Sequence, residues 1–259
     1  PNNAPLHNNL GTILEVLGKH QNAKSCYEKA IQIQPNYLIA LNNLGNLLKE
    51  LGDYQKAKNC YEKAIQIQPS NVASLNNLGN VLGKLEENKK SISYYDKVIK
   101  INPNYFLAHN NKGVILQKLR KFDESLKSYN NAFKINPNYN FLLGKVLYLK
   151  SCICDWKYFD ENLNTLKDKL SNNLASSSPF SVTTLYDLPE LQKKTADIWV
   201  KNTYSNKNRL EPISKHQTSK KIRIGYFSAD FHDHATSLLI VHMLELHDKS
   251  KFELFGFSF

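Results

Sequence analysis

Methionine occurs once and tryptophan twice, and no apolar run comes near the roughly 20 residues that a helix needs to span a bilayer. An integral membrane protein with helical spans is excluded on that ground. Cysteine is scarce too: Cys26, Cys60, Cys152 and Cys154 have none of the spacings of a zinc or redox motif. Cys26 and Cys60 recur at the same place in successive sequence repeats, and stacked repeats hold equivalent positions roughly 10 Å apart, too far for a disulfide. Buried free thiols in a reducing compartment, the cytoplasm, fit better. Acidic residues are outnumbered, leaving a formal charge of +11, but the lysines are interspersed with glutamates instead of forming a tract. Solvated helix faces account for them before a nucleic-acid footprint does. There is no initiating methionine and no polar tail after "FELFGFSF", so the chain reads as a piece of a longer protein, and a missing signal peptide carries little meaning.

What is abundant is repetition. Pro1, Pro35, Pro69, Pro103 and Pro137 are 34 residues apart, and "NNLGTIL", "NNLGNLL", "NNLGNVL" and "NNKGVIL" recur between them. That period identifies a helix-turn-helix solenoid. Gly11, Gly45, Gly79 and Gly113 fall inside first helices, where glycine costs about 1 kcal/mol relative to alanine, so close approach of a neighbouring helix must offset the loss. Ala23 and Ala57, then Ser91 and Ser125, keep the crossing tight, and Tyr27, Tyr61, Tyr95 and Tyr129 supply large half-buried rings between repeats. Gly18 and Gly52 suit a left-handed helix end, and the prolines stop second helices. These features resemble the tetratricopeptide repeat, four units of which cover residues 1–139, with first helices lining a concave face.

Asn9, Asn43, Asn77 and Asn111 recur at a fixed place. Such a ladder can bond to the backbone of an extended peptide without reading its side chains. The same amides can instead bond between adjacent helices, and Asn8, Asn42, Asn76 and Asn110 beside them leave the inner face unassigned.

Residues 140–220 form a transitional helical segment and linker. "NFLLGKVLYLKSCICDWKYFDENLNTLKDKL" reads as a hairpin closing the solenoid, with Asp155 as a cap; "SNNLASSSPFS" is a loop, and "LPELQKKTADIWVKNTYS" a helix. From 221 to 259 the pattern becomes strand "IRIGYF", polar "SADFHDHATS", helix "LLIVHMLELHDK" and strand "FELFGFSF": one βαβ unit of a Rossmann-like sheet. Ligands gather at the carboxyl ends of such strands, where "SADFHDHATS" sits, and Thr236 or Ser237 can cap a helix whose amino end suits phosphate. Asp230, His232, Asp233 and His234 as metal ligands match no metal-site spacing. A solvated connection, or a catalytic histidine, remains.

The order of asparagine-bearing repeats, "CDWKYFDENL" and "IRIGYFSADFHDHATSLL" resembles the protein O-linked N-acetylglucosamine transferases, glycosyltransferase family 41. The resemblance implies an all-α tetratricopeptide solenoid followed by the truncated start of a two-lobed, Rossmann-like transferase. It implies a UDP sugar (UDP-N-acetylglucosamine, or another UDP or GDP sugar) as co-substrate, with no metal and no cofactor. His234 matches the histidine of the family's Asp-Phe-x-x-His, set near the acceptor hydroxyl and donor diphosphate. Asn9, Asn43, Asn77 and Asn111 match its peptide-holding ladder. His232 falls on a variable position, and Ala235 stands where many relatives have proline. The implied partners are acceptor proteins and a nucleotide sugar, neither nucleic acid nor membrane, and the repeats could also join copies of the chain. With one βαβ unit present, the 259-residue piece is expected to be inactive by itself, and its unpaired "FELFGFSF" to promote association. A peptide-binding scaffold without catalysis, and a transferase using another sugar, are the rival expectations.

Overall fold

The computed structural model describes residues 3–204, 221–228 and 243–258. The chain divides into two compact units, Pro1–Ser205 and Asn206–Phe259.

The first unit is helical throughout. Four antiparallel pairs follow one another: α1 (Ala4–Val16) with α2 (His20–Ile33), α3 (Leu38–Glu50) with α4 (Tyr54–Ile67), α5 (Val72–Lys84) with α6 (Asn88–Ile101), and α7 (Phe106–Lys118) with α8 (Phe122–Ile135). Each first helix packs on its own second helix and on the first helix of the next pair. The tyrosines expected to be half-buried are completely enclosed: Tyr27, Tyr61, Tyr95 and Tyr129 are at most 1% exposed. Their rings explain the in-helix glycines. A Cβ placed on Gly11, Gly45, Gly79 or Gly113 would come within 2.6–2.8 Å of the ring sixteen residues later in the same repeat. The close approach is therefore between the two helices of one repeat, while the ring's remaining surface joins the core shared with the next. Ser91 and Ser125, in place of Ala23 and Ala57, fill the crossing and donate from Oγ to the carbonyls of Gly79 and Gly113, each at 2.7 Å.

Gly18 and Gly52 adopt φ of 72° and 81°, as their sequence context requires. The period continues with residues that pay for that conformation: Glu86, Arg120 and Cys154 have φ of 62°, 57° and 56°. Cys154 lies beyond the four sequence repeats. The hairpin of α9 (Leu142–Cys152) and α10 (Phe159–Ser171) thus keeps the repeat's turn after its side-chain signature has gone. Asp155 does not cap α10, whose N-cap is Tyr158 in the left-handed region. It accepts from the backbone N–H of Lys157 and pairs with Lys150 at 3.3 Å, holding the turn itself.

The pair α11 (Pro179–Leu185) and α12 (Pro189–Thr203) completes the unit. Leu143, Leu147, Leu166, Leu170, Val182 and Ile198 form one core there, and the Phe141 ring meets Trp199 at 4.4 Å. Cys26 and Cys60 are half-buried, Cys152 and Cys154 exposed, and all four are free thiols; burial pushes the Cys60 thiol up to about 11.

In the second unit, β1 (Ile222–Ser228) and β2 (Phe252–Ser258) pair in parallel, Ile222 opposite Phe252 through Ser228 opposite Ser258. Parallel neighbours need a long crossover, and only its last part, from Met243, is described. His247 links the end of the crossover to β1: its Nε2 lies 2.9 Å from the Tyr226 hydroxyl and its Nδ1 2.8 Å from the Met243 carbonyl.

Candidate functional site: the amide face of the repeats

The first helices of the four repeats bring the recurring asparagines into one row. Asn9 is exposed, and Asn43, Asn77 and Asn111 are half-buried. Each of the last three donates its side-chain N–H to the preceding repeat: Asn43 to Asn8 Oδ1 at 2.9 Å, Asn77 to Asn46 Oδ1 at 3.1 Å, and Asn111 to Asn80 Oδ1 at 2.9 Å. The helix-to-helix role weighed from the sequence is present in the geometry. It leaves part of each amide free: among the described residues, Oδ1 of Asn43 and of Asn77 receives no hydrogen bond. The neighbouring asparagines, of which Asn8, Asn76 and Asn110 are buried and Asn42 half-buried, serve the scaffold. Asn42 Oδ1 accepts from Ser74 Oγ at 2.7 Å, and Asn110 donates to Asn111 Oδ1 at 3.1 Å.

Sequence reasoning missed the partners at the next position along the helix. Asn46 Oδ1 also accepts from the Tyr61 hydroxyl at 2.7 Å, and Asn80 Oδ1 from the Tyr95 hydroxyl at 2.8 Å. One carbonyl oxygen therefore joins a buried tyrosine of its own repeat to the ladder amide of the following one. Burial pushes Tyr95 up to about 12 and moves Tyr61 in the same direction, because an enclosed phenolate loses its hydration. In the outer repeats the corresponding residues are Thr12 and Val114. Tyr27 donates to Thr12 and to Glu15 Oε2 at 2.7 Å, while Tyr129, with valine below it, turns to Gln117 Oε1 at 3.1 Å. The next ladder position is Lys145. Its ammonium group lies 5.5 Å from the centre of the Tyr129 ring, and burial pulls its pKa below the usual lysine range. The signal for this relay was in the sequence: Asn46 and Asn80 follow the marker glycines directly.

Between α5 and α7 the row opens into a hollow of about 460 Å³ bordered by Asn80, Tyr95, Asn111, Ile115, Lys84 and Lys118. The face can thus present amide oxygens along the repeats and ammonium groups at one hollow.

His234 lies outside the described residues, as do Asp230, His232, Asp233, Thr236 and Ser237. Among the described residues, no three His, Cys, Asp or Glu side chains gather into a metal-binding group, and no helix is long and apolar enough to cross a membrane.

Comparison with known proteins follows the same division. Tetratricopeptide-repeat family profiles match residues 3–70, 72–105 and 106–139. The profile described as glycosyl transferase family 41 matches residues 153–259. No curated protein sequence matches the chain. Among solved structures, MamA from Desulfovibrio magneticus RS-1 is similar at 19% identity and a TM-score of 0.58, over 64% of this chain and 93% of that one. A Pseudomonas aeruginosa pilF structure has 16% identity and a TM-score of 0.59, over 78% and 91%. YrrB, described as a TPR protein with an unusual peptide-binding site, has 21% identity and a TM-score of 0.52, over 74% and 91%. At these identities the likeness establishes the fold of the solenoid. With four helix pairs in tetratricopeptide register and the later profile beginning in the turn after α9, the chain is a tetratricopeptide-repeat protein carrying a glycosyl transferase family 41 region at its C-terminal end.

Proposed function

We propose that this chain is the acceptor-holding and opening catalytic portion of a protein glycosyltransferase. It moves a sugar, N-acetylglucosamine in the first instance, from a uridine diphosphate donor to serine or threonine hydroxyls of proteins lying along the repeats. The observation that carries the reading is the succession, in one chain, of an amide-lined repeat face and a family 41 region. Oδ1 of Asn43 and of Asn77 is available to backbone N–H groups of an extended peptide, and the exposed Asn9, whose Oδ1 accepts from Asn8 at 3.4 Å, keeps its amide N–H groups for one. Asn111, already bonded on both sides, offers least.

In the transfer itself, the acceptor oxygen attacks the anomeric carbon, the bond from that carbon to the nucleoside diphosphate breaks, and the hydroxyl proton leaves to a base. His234 is proposed either as that base or as a contact that stabilises the departing diphosphate. The reaction needs no cofactor and no metal in this reading. The 259-residue chain alone is expected to be inactive in this reading, since the strand pair among its described residues does not by itself form a donor site.

The test uses the complete parent protein with radiolabelled UDP-N-acetylglucosamine, UDP-glucose and GDP-fucose in parallel. Transfer from one donor that is lost in His234→Ala, with the repeats still folded by circular dichroism, supports the reading. Undiminished transfer by His234→Ala sinks the role of that residue, and transfer from none of the donors favours a peptide-binding scaffold. The likeness of the repeat fold to YrrB is what supports that second reading.

A further inference from the structure

The hollow between α5 and α7 differs from the rest of the amide face in charge and in shape. Gly83 occupies a place where the other repeats carry Glu15, Lys49 and Gln117, and the missing side chain opens the space. A Cβ added there would lie 2.7 Å from Ile115 Cδ1. Two lysines border the space, Lys84 and Lys118, which are equivalent positions of successive repeats; the earlier repeats have Glu50 and Val16 there.

The free hydrogen-bonding groups of the hollow are mainly donors. Asn80 Oδ1 already accepts twice, from Tyr95 and Asn111, so its amide N–H groups are what it has to offer. Asn111 Oδ1 accepts from Asn110. Lys84 has no acidic partner among the described residues. Lys118 pairs with Glu86 at 2.9 Å, but both side chains are well exposed, 48% and 78%. Such a pair contributes only about 0–1 kcal/mol and gives way to a competing anion. No carboxylate borders the hollow.

We infer that this hollow is a specificity site that selects peptides bearing an aspartate or glutamate side chain, the carboxylate reaching Lys84, Lys118 and the Asn80 amide while the peptide backbone runs along the asparagine row. The inference rests on the peptide-holding role proposed above and adds the class of side chain that is chosen. Charge complementarity fixes the occupant: a basic or apolar side chain would leave the Lys84 ammonium group and the Asn80 amide without an acceptor and Lys118 with only its exposed pair to Glu86.

The experiment measures fluorescence anisotropy of the 259-residue chain with labelled extended peptides of Ser, Thr and Ala, in which Glu, Gln or Lys is moved through every position. At low salt, Glu at one register position should bind about threefold more tightly than Gln, the scale of a partly exposed ion pair. The preference should disappear in Lys84→Gln/Lys118→Gln and turn towards Lys in Lys84→Glu/Lys118→Glu. Both lysines are on the surface, so the variants should keep the parent's helical spectrum and melting point. Equal binding of Glu and Gln peptides at every position overturns the acidic preference and leaves the groove reading standing. A preference unchanged by the lysine variants overturns the assignment to this hollow. If no peptide binds at all, both readings fall together.

Discussion

Gly79→Ala puts a methyl group where α5 meets the Tyr95 ring. The new carbon would lie 2.6 Å from Cε1 and 3.0 Å from both Cδ1 and Cζ, well inside van der Waals contact. The ring has little freedom to retreat, being 1% exposed and held by its hydroxyl to Asn80 at 2.8 Å. Two opposed effects decide the outcome. Alanine in a helix interior is favoured over glycine by about 1 kcal/mol, whereas overpacking a filled core costs about 1–3 kcal/mol. With an aromatic face as the obstacle, the upper part of that range applies, and the substitution should destabilise by roughly 1–2 kcal/mol. Urea unfolding followed by far-ultraviolet circular dichroism measures it. Gly83→Ala is the control, since the one close atom to its Cβ is the terminal Cδ1 of Ile115, which can rotate away, while Ser91 Oγ stays in ordinary contact at 3.4 Å; it should be close to neutral. In a Tyr95→Leu background, Gly79→Ala should become neutral or favourable, giving a coupling between the two sites. If Gly79→Ala instead stabilises the otherwise unaltered chain by about 1 kcal/mol, as at an exposed helical glycine, the ring is not wedged against α5 and the packing argument fails.

Asn80→Leu removes the acceptor shared by Tyr95 and Asn111; stranding the enclosed Tyr95 hydroxyl and leaving Asn111 only its longer bond to Asn76 Oδ1 at 3.4 Å should cost about 1–3 kcal/mol, read from the same urea curves, and a change under 0.5 kcal/mol would refute the relay. The buried tyrosines also set an alkaline limit. Tyr27 and Tyr95 are pushed from the ordinary 10.0 up to about 12, so the protonated phenol is favoured by folding. That contribution is fully present below the unfolded value near pH 10 and is lost as pH rises towards 12; the share of tyrosinate absorbance that disappears in Tyr27→Phe/Tyr95→Phe should arise together with loss of helix in that window, and its appearance near pH 10 with the helices intact would contradict the burial.

Much of the solenoid was legible because each of its constraints repeats. One glycine could mean many things, but Gly11, Gly45, Gly79 and Gly113, each sixteen residues before a tyrosine, mark one close helix contact made in every repeat. The exact partner was harder to read, since period alone does not say whether the close neighbour is within the repeat or in the next. Cys154 shows the complementary difficulty: its backbone repeats the turn of Gly18 and Gly52, yet a cysteine carries no sign of a left-handed conformation. Asp155 had the composition of a cap, but capping depends on where the helix begins, and α10 begins at Phe159. At the candidate site, the row of Asn9, Asn43, Asn77 and Asn111 was visible as spacing. How much of each amide is already committed is a matter of which oxygens stand within hydrogen-bond distance, and that emerges only when Asn8, Asn46 and Asn80 are set beside them. The hollow escaped notice because it arises from an absence, the side chain missing at Gly83.

The shared oxygens of Asn46 and Asn80 give the array a mechanical property. Melting one repeat also removes the acceptor of its neighbour's ladder amide, so the cost of a local opening is felt across two units. Repeats two to four should consequently respond to strain as one elastic body. Past Val114 the chain of shared acceptors stops, and Lys145 offers only a cation over a ring. Under tension or partial denaturation, that junction is where a break would be expected to begin.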